Sequence, residues 1–492
     1  MFTSNSRPTP RRRARVAFPL VPTLAALFVV TACNGGSSSG GVTNAQIVEH
    51  WNHLAINASG LDHAPTNVGG PHTFGEQLGP CRAARAMAIV HLAVFEAVNA
   101  IEGGYSSYAG LDPAPPTANV RAAIGQAAHD TMNALFPSQS AACDAALAIE
   151  MSAVPASTAR SQGLAVGAAA AAAVLALREN DGSELPEPVY GVDYVPSDQP
   201  GAWRQDPISL GTLAMGGNWA LVTPFAMSSA AQFRLPPPPA LTSAEYELAY
   251  AEVKVLGGDG DTTPTARTVG GTETGLYWAY DGTPSLCAPP RLYNQIATQI
   301  GMEHALSALE LSRLLALVNL ALADTGIAAW DSKYHYAFWR PVTGIRESDA
   351  GTGPSGLGDG NANTIGDPTF TPLGAPRSNG SGPNFTPPFP AYPSGHAAFG
   401  GALFQTLRRY FGTDDIAFTF VSDEFNGITV DNEGEVRPLR PRSFESLSQA
   451  EEENGQSRIY LGIHWSFDKT GGITQGRAVA DWVFDHVLQP AP

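Results

Sequence analysis

Positive charge is scarce in this 492-residue chain: 28 lysines and arginines stand against 45 aspartates and glutamates, a formal net charge of -17. That balance argues against nucleic acid and an anionic membrane surface as partners. It also makes the position of every cation informative. Cysteine is scarce too, four in all, widely spaced and in no zinc-binding pattern. Cys81, Cys143 and Cys287 lie well inside the chain; one disulfide is possible outside the cytoplasm, with no pairing indicated, and they otherwise read as core residues. No repeat of 20 to 50 residues is visible and no strand-like alternation persists. The DGD at 259–261 lacks the rest of a calcium loop and reads as a turn. The alanine run within 158–180 is flanked by polar residues and Arg178, too short to span a membrane. A hydrophobic fraction of 43% remains, ordinary for a globular protein.

The first 33 residues read as a leader. RRRAR (11–15) precedes the apolar VAFPLVPTLAALFVV, a secretory signal pattern that ends in Val30-Thr31-Ala32-Cys33. That ending looks like a bacterial lipobox, with Cys33 as the acylated first residue of the mature chain. Residues 34–41, glycine- and serine-rich, follow as a flexible tether, and 42–492 form the folded domain. The expected product is an exported lipoprotein of the cell envelope, on the periplasmic face of an outer membrane or otherwise extracytoplasmic, held to the membrane through its lipid anchor alone.

From residue 42 the periodic segments read mostly as helix. Residues 81–104 are apolar on most faces and stop at a glycine pair, 120–136 and 158–180 follow, and 302–330 is the most hydrophobic stretch. TSAEYELAYAEVKVLG begins with a Thr/Ser cap and ends at Gly257. Two Pro/Gly-rich stretches, 183–240 and 347–390, read as long irregular connections, and loops of such length usually serve function or are disordered. HAAFGGALFQTLRRYFG, SFESLSQAEEENG and GITQGRAVADWVFDHVL complete a helical C-terminal half.

Three segments share one chemical character. In KYHYAFWRP, Lys333 and Arg340 lie seven apart, two helical turns, so both cations can face one side. In YPSGHAAFGGALF, Ser394, the Gly395 amide and His396 sit at a helix start, where free N–H groups and the positive dipole end favour an anion. In SRIYLGIHWSFD stand Arg458, His464 and Asp468. Singly, each is unremarkable: Lys333 with Arg340 fits a solvated face, PSGH a capped turn, Arg458 the surface and His464 the core. Together they offer three cations, a hydroxyl, a bare amide and two histidines, a set suited to a tetrahedral or trigonal-bipyramidal oxyanion.

The pattern K-x6-R-P, P-S-G-H, S-R-x5-H-x3-D resembles the signature of the superfamily that unites vanadium-dependent haloperoxidases with type 2 acid and lipid phosphatases. Similarity to the chloroperoxidase-like branch extends to YWAYDG (277–282), PPRLYNQI (289–296) and LALVNLALADTGIAAW, over roughly residues 245–488. The resemblance implies an all-α fold, a large helical domain built around two four-helix bundles with the site at the end of one. It implies vanadate as cofactor, with phosphate as competitor or alternative ligand, and no heme. His464 would be the residue bonded to the metal, and Lys333, Arg340, Ser394, Gly395 and Arg458 would hold the oxyanion. His396 would be the acid–base group, and Lys333 would polarise the peroxide. Asp281 would orient the site arginine, against a plain reading as a turn residue before Gly282. Asp468 would fix the tautomer of His464 or cap a helix. Trp330 and Phe389 match aromatic positions flanking vanadate in chloroperoxidases and would border the halide; bromide- and iodide-preferring relatives tend to carry histidine where Phe389 stands, and either residue could equally be core. The implied reaction takes hydrogen peroxide, a halide and a small organic acceptor. Phosphomonoester hydrolysis through a phosphohistidine at His464 uses the same residues and stays open as an alternative, as does oxyanion or partner binding without catalysis. Halide preference, oligomeric state and the organic substrate are left undetermined.

Overall fold

A computed structural model describes residues 41–491; the leader, the lipobox with Cys33, and the tether up to Gly40 lie outside the described residues. Thirteen α-helices are found among the described residues: Asn44–Asp62 (α1), Gly79–Glu102 (α2), Val120–Leu135 (α3), Ser140–Ser152 (α4), Thr158–Leu177 (α5), Ala244–Leu256 (α6), Val269–Tyr277 (α7), Pro290–Glu303 (α8), Ala308–Tyr336 (α9), Pro341–Arg346 (α10), Gly395–Phe411 (α11), Leu447–Tyr460 (α12) and Ser466–His486 (α13). Their starts follow the sequence: Thr43, Asn119, Ser157, Ser243, Ser307 and Ser446 each accept a backbone N–H as N-cap, satisfying a donor the helix cannot.

Helix α9 is the axis. It packs against α2 on one side and against α11 and α13 on another, so an N-terminal group of α1, α2, α3 and α5 and a C-terminal group of α11, α12 and α13 share it. Leu311 through Lys333 of α9 are buried without interruption, which accounts for its apolar composition on all faces. Glycine sets how closely the C-terminal group packs. A Cβ on Gly472 of α13 would lie 2.6 Å from the Ser394 carbonyl oxygen, so the starts of α11 and α13 can touch only because residue 472 has no side chain.

Four expectations need correcting. The hydrophobic segment 302–330 is not one helix: α8 ends at Glu303, His304 to Leu306 turn the chain, and Ser307 caps a new helix with Glu310 as its reciprocal partner. That helix runs past 330 to Tyr336, where Ala337 takes a left-handed conformation and ends it. Lys333 and Arg340 therefore do not share a helix; Arg340 is the residue before α10. The C-terminal half is not continuously helical, because residues 412–446 carry a two-stranded antiparallel sheet, Phe418–Phe420 (β1) with Arg442–Phe444 (β2). The 20-residue α5 is long and apolar enough to cross a membrane by length and composition, as are α2 and α9. In this fold the apolar stretches of α2 and α9 are buried inside the protein and α5 lies along α3.

The two Pro/Gly-rich connections contain no α-helix or strand. They still bury aromatic residues, among them Trp203, Trp219, Phe370 and Phe389. Asp259 accepts the N–H groups of Asp261 and Thr263, the expected turn. Cys81, Cys143 and Cys287 are buried free thiols.

Candidate active site

The site forms where α11 and α13 start side by side. The Ser394 N–H donates to the carbonyl of Asp468 at 3.0 Å, and the Ser394 hydroxyl accepts from Ala397 N at 3.4 Å as N-cap. Gly395 and His396 open α11, and their N–H groups belong to the turn that has no intrahelical acceptor. A side chain on Gly395 would sit 3.1 Å from the Trp330 ring, so this position admits little beyond hydrogen.

Asp468 serves both roles expected of it. Its Oδ2 accepts from His464 Nδ1 at 2.8 Å and from Trp465 N at 3.0 Å, fixing a tautomer and capping α13 together. With its Nδ1 proton given to Asp468, His464 keeps a lone pair on Nε2. Arg340 Nη1 donates to that Nε2 at 2.8 Å and to the Ile463 carbonyl at 2.8 Å, while its Nε is held by the Phe389 carbonyl at 2.9 Å. Arg340 thus reaches His464 from outside any shared helix.

Arg458, in the last turn of α12, is paired bidentately through Nη2 with Asp281 at 2.7 and 2.9 Å. Its Nε and Nη1 are buried with no partner. Two unmatched donors on a buried guanidinium are costly; an anion placed there removes the cost. Lys333 is fully buried, and its ammonium donates to the carbonyls of Pro390 at 2.8 Å, Ala391 at 3.0 Å and Pro393. All three of its N–H bonds meet backbone oxygens, so Lys333 acts on the site through charge and by holding the loop before α11.

His396 Nε2 donates to the Ala279 carbonyl at 2.5 Å, which leaves Nδ1 as the nitrogen able to take a proton. Its backbone is pinned as well, because the carbonyl accepts from Tyr293 Oη and Asn454 Nδ2, both at 2.9 Å. Burial and the charges of Arg458, Arg340 and Lys333 hold His396 well below the usual histidine value. Burial, Arg340, Lys333 and Arg458 do the same to His464. Both rings are neutral at pH 7. Burial lowers Lys333 well below its ordinary value and Arg340 to about 9, with neighbouring cations adding to each. Burial pushes Asp468 up to about 7 against the Trp465 N–H. Burial raises Asp281 against the pull of Arg458.

A cavity of about 310 Å³ opens onto Gly395, His396, Arg458 and His464. Trp330 and Phe389 form its floor, ring centres 4.9 Å apart, and the Lys333 ammonium lies 5.5 and 5.0 Å from those two rings. Every site residue anticipated in the sequence, from Asp281 to Asp468, falls in this one neighbourhood. Sequence reasoning missed Tyr293 and Asn454, which steady His396. It also missed Glu424, whose carboxylate accepts the Tyr280 N–H at 3.3 Å and pairs with Arg437, clamping the turn that carries Asp281. PPRLYNQI had drawn notice without a role for Tyr293; Asn454 and Glu424 sit in acidic, surface-like stretches that gave no signal.

The arrangement fits a tetrahedral oxyanion. Arg458 with its two unmatched donors, the open N-terminus of α11, and His464, whose Nε2 accepts only from Arg340, line one cavity. Comparison with other proteins agrees. Residues 313–491 match the family described as VCPO second helical-bundle domain. The chain is 31% identical over 508 aligned residues to vanadium chloroperoxidase of Curvularia inaequalis, covering 86% of this chain and 79% of that protein. Its fold resembles the first bacterial vanadium-dependent iodoperoxidase, with TM-score 0.70 and 23% identity over 93% of this chain and all of that one. It also resembles the holo form of a bacterial vanadium-dependent chloroperoxidase, with TM-score 0.62 and 17% identity over 89% of this chain and 96% of that one.

Proposed function

Since this chain belongs to the vanadium haloperoxidases, we propose that it oxidises a halide with hydrogen peroxide at a vanadate held by His464 Nε2, Arg458, Arg340 and the Gly395 amide. Bound vanadate supplies the electrophilic centre at which peroxide is activated without a redox change of the metal. The observation that carries the reading is the pair of buried, unmatched donors on Arg458, a residue that lines the same cavity as His464. Phosphomonoester hydrolysis is not favoured, since the relatives found are haloperoxidases. Phosphate, nearly isosteric, is expected to compete for the site.

The chain's own groups divide the work. Asp468 keeps the His464 proton on Nδ1 and so the acceptor on Nε2, and Asp281 holds Arg458 through Nη2 alone, leaving Nε and Nη1 for the ligand. His396, neutral and carrying its proton on Nε2, takes a proton from peroxide on Nδ1 and returns it to the leaving oxygen. Lys333 and Arg340 place positive charge beside the reacting oxygens in a water-poor pocket, where it counts most. Trp330 and Phe389 exclude water and border the halide.

Halogenation of a phenol-red-type acceptor with bromide and peroxide, with and without added vanadate, tests the reading beside a p-nitrophenyl phosphate assay. Vanadate-dependent halogenation is expected; hydrolysis without halogenation would overturn it. We also propose export and acylation at Cys33, on the lipobox and the glycine-serine tether that follows it. Cys33→Ser should release the protein from membranes, and equal partitioning of the two forms would remove the claim.

A further inference from the structure

The cavity above the site is larger and more apolar than peroxide and a halide require. From the vanadate wall it runs outward along Pro387, Pro388, Phe385, Leu213, Met215 and Leu78. Phe74, half exposed, stands on the rim. At about 310 Å³ the space falls at the lower end for pockets that enclose small organic molecules.

Away from the site residues this largely apolar wall carries two basic groups, His63 and Arg377. His63 spends both ring nitrogens on the Ser59 carbonyl and the Gly79 N–H, which leaves Arg377 as the one free to meet a ligand. Arg377 is held by its Nε, which donates to the Pro383 carbonyl at 3.0 Å, and by its stacking over the Phe385 ring at 4.7 Å. Its backbone N–H is tied to Asn432 at 2.9 Å, so the residue is anchored from residues 412–446 as well. Among the described residues no carboxylate lies within ion-pair distance of it, and neither Nη atom has a hydrogen-bond partner. Acids outnumber bases widely here, and arginines such as Arg82, Arg85, Arg291 and Arg408 all carry acidic partners. Arg377 stands unpaired, pre-oriented, in the wall of the reaction cavity. The planar fork of a guanidinium matches a carboxylate with two parallel hydrogen bonds.

We propose that the cavity is an acceptor site for an aromatic carboxylic acid of one or two rings, with Arg377 holding the carboxylate and the Pro387–Phe389 wall holding the ring. This rests on the halide-oxidising reading and adds to it that halogen transfer occurs inside the protein. Halide, peroxide and a proton give hypohalous acid and water. The ring then attacks the halogen: a carbon–halogen bond forms, the halogen–oxygen bond breaks, and the displaced ring proton joins hydroxide as water. Carbon is oxidised by two electrons and the halogen reduced by two. Retention of hypohalous acid beside a bound ring gives a product pattern that the free reagent cannot.

Two measurements on the full chain decide it. In the first, a methoxyphenylacetate and its methyl ester compete for halogenation, and the product ratio is set against that from hypobromous acid alone. The enzyme should favour the carboxylate by about tenfold beyond the free reagent, the size of one charge-assisted pair, and Arg377→Gln should erase the excess. In the second, calorimetry follows binding of the same carboxylate with no peroxide or halide present, and Arg377→Gln should weaken it about tenfold. A ratio equal to that of the free reagent, or a preference that survives Arg377→Gln, would overturn the proposal. Absence of binding would overturn it too. Binding that depends on Arg377 in a protein that oxidises no halide would uphold the site and sink the halide-oxidising reading instead, so the two failures are distinct.

Discussion

Two buried arginines, one in each helical group, show how differently the halves of this molecule use the same chemistry. Arg178, at the C-terminal end of α5, has every nitrogen engaged: Nε with Asp181 at 2.9 Å, Nη1 with the Pro224 carbonyl at 3.3 Å and Nη2 with the Thr223 carbonyl. Arg458, at the end of α12, uses one nitrogen on Asp281 and leaves two buried and unmatched. The histidines divide in the same way. His91 of α2, held at about 3 by burial, passes its Nε2 to Asn52, which is itself tied to Thr298. His396 is depressed by burial and by three cations gathered around it. In the N-terminal group these charged and titratable side chains find partners and the interior is fixed; in the C-terminal group like charges assemble and Arg458 is left with donors unmatched. Clustered cations destabilise a fold unless a counter-charge arrives, so the cost marks the place where an anion belongs.

The comparison breaks most severely at His464. His464→Ala removes the ring nitrogen proposed to bond the metal, and vanadate binding and halogenation should both be lost. Calorimetry showing wild-type affinity would mean that the cations alone hold the ligand. His396→Ala sharpens the division of roles: it should keep oxyanion affinity within about tenfold, or 1.4 kcal/mol, yet lower turnover by ~100-fold or more, as expected on removal of a general acid–base. Equal loss of affinity in the two alanine variants would make His396 a ligand rather than a proton carrier.

A smaller effect is expected at Phe389, whose ring lies 5.0 Å from both the Lys333 ammonium and the Arg340 guanidinium. Phe389→His replaces an apolar border with a polar ring beside the halide, and the ratio of chloride to bromide oxidation should fall by about tenfold, on the scale of one hydrogen bond to a charged group. An unchanged ratio would return Phe389 to the core. In the N-terminal group, Asn52→Ala strands His91 Nε2 and should lower stability by about 1–3 kcal/mol while leaving oxyanion affinity as it was. Chemical denaturation and calorimetry on the same samples would show whether the two groups are separable.

The smallest expected effect is one of pH. His464 has its folded value depressed by burial and by Arg340, Lys333 and Arg458. Its neutral, lone-pair form therefore persists below about 6.5, where an unperturbed imidazole would begin to protonate. Binding of sulfate, whose own charge is constant in this range, should pass through pH 6.5 without a step and strengthen only at lower pH, where a second ring proton turns His464 Nε2 into a donor. A midpoint near 6.5 would place His464 in a solvated setting and undo the contrast with an ordinary histidine.

Much of this could be read in advance. Caps, glycine stops and the two long connections were legible because each follows from local backbone chemistry, as at Ser243, Ser394 and Gly103. The three motifs named the site because their residue types suit an oxyanion whatever the fold. Spacing misled where the chain changes direction. Seven residues from Lys333 to Arg340 suggested two helical turns, but Ala337 turns left-handed between them, and nothing in an alanine announces that. Tyr293, Asn454 and Glu424 were silent because their work is done through hydrogen bonds to backbone atoms of distant segments.

Sequence alone determined the helical class, the two long connections and the identity of the charged and polar groups gathered around the cavity, since periodicity, capping and side-chain charge are local properties. Tertiary structure decided what each group does. It turned all three Lys333 donors onto carbonyls, left two donors of Arg458 unmatched, and set Arg377 unpaired in an apolar wall. Which donor finds an acceptor depends on segments far apart in the chain arriving at one point, Lys333 at Pro390 and Arg458 at Asp281, and that is fixed by packing.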